Sequence, residues 1–260
     1  MIHVDLNADV GESFGVCSIG EDAALVASVT SVSVAAGVHS GDPTVLRQTI
    51  RLAKAHGVAV GAHPGLPDLA GFGRREMRLT PREAEDLVLY QIAAVAGVAA
   101  AEGIRLQHVK LHGALYNMAA RDIDLARAIV RAVSAADRSL LLFAPAGSEM
   151  AKAAASDGIA VACEAFADRA YNADGSLVGR GAPGALITQP DEVVARVWRM
   201  LLDHVVTALD GVEVPIRADT ICIHSDTPGS GGLAAALRAG LEAAGVRLQA
   251  VSAPRARAAQ

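Results

Sequence analysis

The chain predicts a single α/β domain built on parallel strands. Short β-like runs alternate with helical segments from end to end, glycines mark the helix-to-strand joints, and ionisable residues gather where strands end. Its 260 residues suit one large domain, and no Pro/Gly/Ser-rich linker divides them, so residues 1–260 read as one unit. Hydrophobic residues make up 52% but aromatics only 3%, so the core must be built from Ala, Val, Leu and Ile.

The strands are expected at Ile2–Ala8, Ser31–Ala35, Val58–Ala62, Gln107–Leu111, Leu140–Ala144, Ile159–Glu164, Thr220–His224 and Val246–Val251. Between them, Ser18-Ile19-Gly20-Glu21 and Thr80-Pro81-Arg82-Glu83 read as capping boxes that start helices. Asp42-Pro43 and Gln189-Pro190 place proline at a first helical position. Gly57, Gly103, Gly158 and Gly245 follow helical runs, where a left-handed cap is expected. Repetition of strand, helix and strand implies parallel pairing, which an open doubly wound sheet and a closed barrel both satisfy. The tail from Ser252 to Gln260 is expected to fray.

Composition narrows the function. A net charge of −5 without a basic run disfavours nucleic acid. Of 23 basic residues only Lys54, Lys110 and Lys152 are lysines. Cys17, Cys163 and Cys222 are odd in number and widely spaced, which fits neither a disulfide framework nor a CxxC motif. Met1 to Asp5 hold no signal peptide, and charge-free stretches such as Val88 to Ala101 fall short of the roughly 20 residues of a membrane span. A cytoplasmic protein with no membrane attachment is expected.

In parallel α/β folds the active site lies at the C-terminal ends of the strands. His39, His63, His108, His112 and His224 fall at or near such ends, with Asp5, Asn7, Asp9, Asp42, Lys110, Glu164, Asp168 and Asp226. Asp5, Asn7 and Asp9 alternate and so share one side of a strand, as do Lys110 with His112 and His224 with Asp226. Such a constellation points to an enzyme. Lys110 sits in an apolar strand, a costly place unless it is paired; it serves either an ion pair or an anionic group of a substrate. Arg74 and Arg75 either clamp an anion or bridge to Glu76 or Asp68.

Several motifs carry little. His108 and His112 have HxxxH spacing, but on a strand that spacing does not chelate. Gly179 to Gly184 match GxGxxG, yet the match follows a loop and contains Pro183. There is no GxxxxGK[ST], HExxH or GxSxG. His39, His63, His224 and Asp9 or Asp226 offer a His/carboxylate set for a metal, which sequence spacing leaves open.

Five segments carry a family resemblance: Val4 to Gly15, Gly61 to Leu69, Gly71 to Arg75, His112 to Asn117, and Glu164 to Tyr171. In order and in content they resemble the LamB/YcsF family. The resemblance implies a distorted seven-stranded β/α barrel similar to the glycoside hydrolase/deacetylase group. It further implies the A component of ATP-dependent 5-oxoprolinase, which opens 5-oxoproline to glutamate with two partner subunits that resemble the halves of an allophanate hydrolase. ATP, with Mg²⁺, would be used by the complex. Ser33 and Val38 depart from the family's usual Asn and Phe, Leu111 from its Pro and Ser225 from its Gly, while every ionisable group is kept.

On that reading, Asp9 or Glu164 is the general base, His39 or His112 protonates the leaving nitrogen, and Lys110 stabilises an oxyanion or phosphate. Asn7, His63, Arg74, Asp42, His224 and Asp226 are expected to bind substrate. The competing readings are a metal-dependent deacetylase or amidohydrolase acting alone, and a non-catalytic scaffold for the partners.

Overall fold

A computed structural model of the chain describes residues 2–252. The frayed tail expected from Ser252 onward therefore lies, beyond that residue, outside the described residues. Seven parallel strands close into a barrel: β1 (His3–Val10), β2 (Ser31–Ala35), β3 (Ala59–His63), β4 (His108–Lys110), β5 (Leu141–Ala144), β6 (Val161–Phe166) and β9 (Thr220–Ile223). Closure comes from β1 pairing with β2 on one side and β9 on the other, with Asp5 opposite Thr220 and Asn7 opposite both Ser31 and Cys222. The closed alternative is thus the one adopted. A short β10 (Arg247–Leu248) lies along the first residues of β1.

Eight helices wrap the barrel among the described residues: α1 (Asp22–Ser28), α2 (Pro43–His56), α3 (Pro81–Ala101), α4 (Gly113–Arg121), α5 (Ile123–Ala136), α6 (Glu149–Asp157), α7 (Pro190–Leu202) and α8 (Ser230–Ala243). The period of two divides each strand between two environments. Val4, Leu6, Ala8 and Val10 of β1, with Leu142 and Ala144 of β5, join the main apolar core beneath the helices. The intervening Asp5, Asn7 and Asp9 point into the barrel, whose lower end is filled by Leu141, Phe143 and Ala162. The barrel is apolar outside and at its lower end, and polar through the rest of its interior.

Most helix signals hold. Thr80 and Glu83 form the capping box of α3, Pro43 and Pro190 stand at the starts of α2 and α7, and Gly57 and Gly158 are left-handed caps. The Ser18 to Glu21 box does not form. Ser13 Oγ bonds both the N–H and the carbonyl of Ile19, and Phe14 bridges Cys17, so the chain stays in a turn until α1 starts at Asp22. The Glu21 carboxylate instead accepts from the Gly231 N–H of α8.

Two strands went unforeseen: β7 (Val205–Thr207) and β8 (Glu213–Pro215), an antiparallel pair outside the barrel. Helix α3 is long and apolar enough to cross a bilayer by composition. One of its faces is buried, however, and Gln91 on that face bonds the N–H and carbonyl of Gly65. All three cysteines are free, as their spacing implied.

Candidate active site at the barrel mouth

Strand β1 runs two residues further than expected and carries Asp9 to the C-terminal rim. From β4, Lys110 reaches across the interior to meet it. The Lys110 Nζ lies 2.8 Å from Asp9 Oδ1 and 2.9 Å from Glu164 Oε1, and it donates to Asn7 Oδ1 at 3.1 Å and Cys222 Sγ at 2.9 Å. Asn7 in turn donates to Glu164 and Thr220. The predicted ion pair is therefore real, and it doubles as the floor of a cavity.

Burial would lower the Lys110 pKa, but the Asp9 and Glu164 carboxylates outweigh it and hold the ammonium well above its usual range. Burial likewise pushes Asp9 up, and His63 and Lys110 overcome that, leaving the carboxyl well below its usual range. The Cys222 thiol, raised mainly by burial, stays protonated.

A cavity of about 300 Å³ opens above this floor, lined by Asp9, His63, Lys110, His112, Tyr116, Phe166 and His224, with Arg74, Arg169 and Arg180 at its mouth. Arg74 and Arg180 share Asp226, at 2.6 and 3.1 Å. Arg169 is lowered to about 10 by burial and by its arginine neighbours, so it keeps its charge at neutral pH. Three guanidinium groups stand against two carboxylates, Asp226 and Asp168, which leaves the mouth cationic, as an anionic substrate requires. Arg75 bridges to Asp68, the second of the two roles open to it.

His224 forms a dyad with Asp168. Its Nδ1 donates to Asp168 Oδ1 at 2.9 Å, and Asp168 also accepts from the His224 N–H and the Thr227 hydroxyl. Burial raises Asp168, but His224 and these bonds bring it down to about 2, so it is ionised. The dyad leaves His224 Nε2 as a lone pair in the cavity wall.

A third group lies beside the floor. His63 and His112 meet at 3.0 Å, His39 stacks on His112 with centroids 3.8 Å apart, and Glu12 Oε1 stands 3.5 Å from His39 Nε2 and from His112 Nδ1. Gly73 permits this crowding: a Cβ there would meet His39 at 2.8 Å and His112 at 2.9 Å.

Of the predicted site residues, Asp9, His63, Arg74, Lys110, His112 and His224 line the cavity. Glu164 and Asn7 lie in the hydrogen-bonded layer beneath, His39 behind His112, and Asp226 between the two mouth arginines. Asp42 is a correction. Its carboxylate caps α2 through the N–H groups of Thr44 and Val45 and also accepts from Gly15, so it faces the helix and not the cavity. His108 also departs from the expected place. It lies lower in the barrel, stacked on Phe143 and bonded to Ser33, with its pKa pushed to about 3 by burial and by Lys110; a Cβ on Gly61 would meet its ring at 2.3 Å.

The suggested metal set of His39, His63, His224 and an aspartate is divided by the structure. His224 belongs with Asp168, whereas Glu12 and His112 join His39 and His63. Glu12, Tyr116 and Arg180 were not among the expected site residues, and Asp168, expected at a strand end, had no role assigned. Glu12 follows β1 by only two residues, and extending the strand-end rule by that much would have found it.

Fold and site together define a parallel β/α-barrel protein with an enzyme-like pocket at its C-terminal mouth. The LamB/YcsF family model matches residues 4–256, and the chain belongs to that family. It is 53% identical over 247 residues to the A component of 5-oxoprolinase from Bordetella pertussis, covering 95% of this chain and 98% of the relative. The protein of the same name from Syntrophobacter fumaroxidans is 48% identical over 252 residues, covering 97% and 100%. The crystal structure of the lactam utilization protein from Thermus thermophilus superposes with a TM-score of 0.90 at 50% identity, covering 96% of this chain and 100% of that one. A polysaccharide deacetylase from Bacillus cereus, at 11% identity and a TM-score of 0.50 over 96% of this chain and 92% of its own, shares the fold.

Proposed function

We propose that this chain is the A component of an ATP-dependent 5-oxoprolinase and opens the lactam ring of 5-oxoproline to give L-glutamate. Near full-length identity to chains that carry the name of that component supports the reading. The observation that carries it is a cationic mouth over a floor of proton-handling groups, in a cavity sized for a small anion.

A five-membered lactam is a poor electrophile. Phosphorylation of its oxygen by ATP makes the ring carbon reactive; water then adds, the ring nitrogen leaves with a proton, and ADP and phosphate are the co-products. ATP with Mg²⁺ is used by the complex with two allophanate-hydrolase-like partners, in the cytoplasm where ATP is supplied. In this chain, Arg74 and Arg180 hold the substrate carboxylate and Lys110 faces developing negative charge. His224, oriented by Asp168, accepts the proton of water and passes it to the leaving ring nitrogen. Asp9 and Glu164 keep Lys110 charged in place.

The test is glutamate release from 5-oxoproline by the purified complex, with ATP or the partners withheld in turn. Release should require both, and Asp168→Asn should lower kcat by about 10²–10⁴-fold. Release by this chain alone without ATP would select the stand-alone amidohydrolase, and no release by the complete complex would sink the proposal.

A further inference from the structure

The cluster of Glu12, His39, His63 and His112 is fully buried, and its donor atoms lie within 4.8 Å of one another. Its hydrogen bonds fix the tautomers. His63 Nδ1 faces the Lys110 carbonyl at 2.8 Å, and His112 Nε2 faces the Phe72 carbonyl at 2.7 Å. A carbonyl only accepts, so both of these ring nitrogens carry the hydrogen. The remaining nitrogens, His63 Nε2 and His112 Nδ1, then present lone pairs to each other at 3.0 Å. Glu12 Oε1, which has no hydrogen-bond partner, adds a third electron-rich atom 3.5 Å from His112 Nδ1. Three bare acceptors converging away from water repel one another unless a cation lies between them.

From this arrangement we infer that Glu12, His63 and His112 bind one divalent transition-metal ion of the zinc class at the edge of the cavity. Two imidazoles and a carboxylate are a donor set for a borderline ion and not for magnesium. Donors about 2.0–2.1 Å from a tetrahedral zinc stand roughly 3.3 Å apart, close to the 3.0 and 3.5 Å separations found here. The rings of His63 and His112 stand at 90° to each other, so both planes can contain a shared ion. Backbone carbonyls behind both rings are the usual support for metal-binding histidines. Three protein ligands leave a further position, and His63 and His112 themselves line the cavity.

His39 does not complete the set as it stands. Its ring lies within 8° of parallel to His112 at 3.8 Å, so an ion in the plane of one ring is outside the plane of the other. Neither of its nitrogens has a hydrogen-bond partner, and its Nε2 faces Glu12 Oε1 at 3.5 Å, beside the ion rather than on it.

The competing cation is a proton on His63, backed by Asp9 at 3.4 Å. The two are separated by titrating the full chain, stripped with chelator, with Zn²⁺ and Co²⁺ in a calorimeter. The expected result is uptake of a single ion per chain, a visible spectrum of a low-coordinate cobalt site, and affinity reduced about 10–100-fold or more by Glu12→Gln or His112→Asn. In the wild-type chain, ¹⁵N resonances of His63 Nε2 and His112 Nδ1 should move on zinc addition, a readout independent of how the variants fold and of any enzymatic activity. No uptake by the folded wild-type chain, with His63 doubly protonated, overturns the inference; so does uptake that neither substitution weakens.

Discussion

Asp5 and Asp9 lie on the same strand, face the same interior and are both buried, yet their surroundings drive them in opposite directions. Asp5 accepts from the hydroxyls of Thr30, Ser31 and Thr220, and burial, only partly offset by those bonds, raises its pKa. Asp9 also suffers burial, but His63 and Lys110 reverse its effect. Neutral hydroxyls satisfy a carboxylate geometrically without compensating its charge, whereas the Lys110 ammonium does both for Asp9. The lower layer of the barrel is thus a hydrogen-bond set around an uncompensated carboxylate, and the upper layer a network of compensated charges.

The largest test of this contrast is Lys110→Met. It leaves Asp9 and Glu164 buried without their counter-ion, and it should cost about 3–5 kcal/mol in denaturant unfolding as well as abolish activity of the complex. Asp9→Asn comes next, with activity expected to fall at least about 10²-fold while the chain stays folded. An active Asp9→Asn complex would place Asp9 with Asp5 as structural. The smallest effect is expected from Asp5→Asn, which keeps the shape and removes an uncompensated charge. Stability should change by about 1 kcal/mol or less, and activity should persist.

pH sharpens the same comparison. Asp9 is depressed in the folded state, so its stabilisation is present above the unfolded carboxyl value of about 3.9 and lost as pH falls through its folded pKa. Asp5 is raised, so its contribution is complete below that unfolded value and lost as pH rises through its folded pKa. Unfolding measured against pH for the two Asn variants should therefore differ from wild type with opposite slopes.

How legible all this was depended on what sets each feature. Strands β1 to β6 and β9 appear in the sequence because each is an apolar run bounded by turns, and the inward alternation of Asp5, Asn7 and Asp9 follows from the pleat. The β7–β8 pair escaped because strands of three residues leave no periodicity to read. Barrel closure is a property of β1 meeting β9, and no local pattern encodes it. At the site, residue types placed Asp9, Lys110 and His224 at the mouth. Partner choice stayed hidden: His224 joins Asp168 and not the other histidines because of strand order around the barrel. Asp42 misled because a helix cap and a substrate ligand look alike in one dimension.

The Thr220 hydroxyl donates to Asp5 and accepts from Asn7, across 215 and 213 residues of sequence. For a chain emerging from the ribosome, that seam comes late. Until β9 has been made, Asp5 and Asn7 lack the one hydroxyl they share, although Thr30 and Ser31 already reach Asp5, and closing so long a loop is entropically slow. The barrel is therefore expected to finish folding only after nearly the whole chain has been synthesised, with Thr220 as the stitch that joins its first strand to its last.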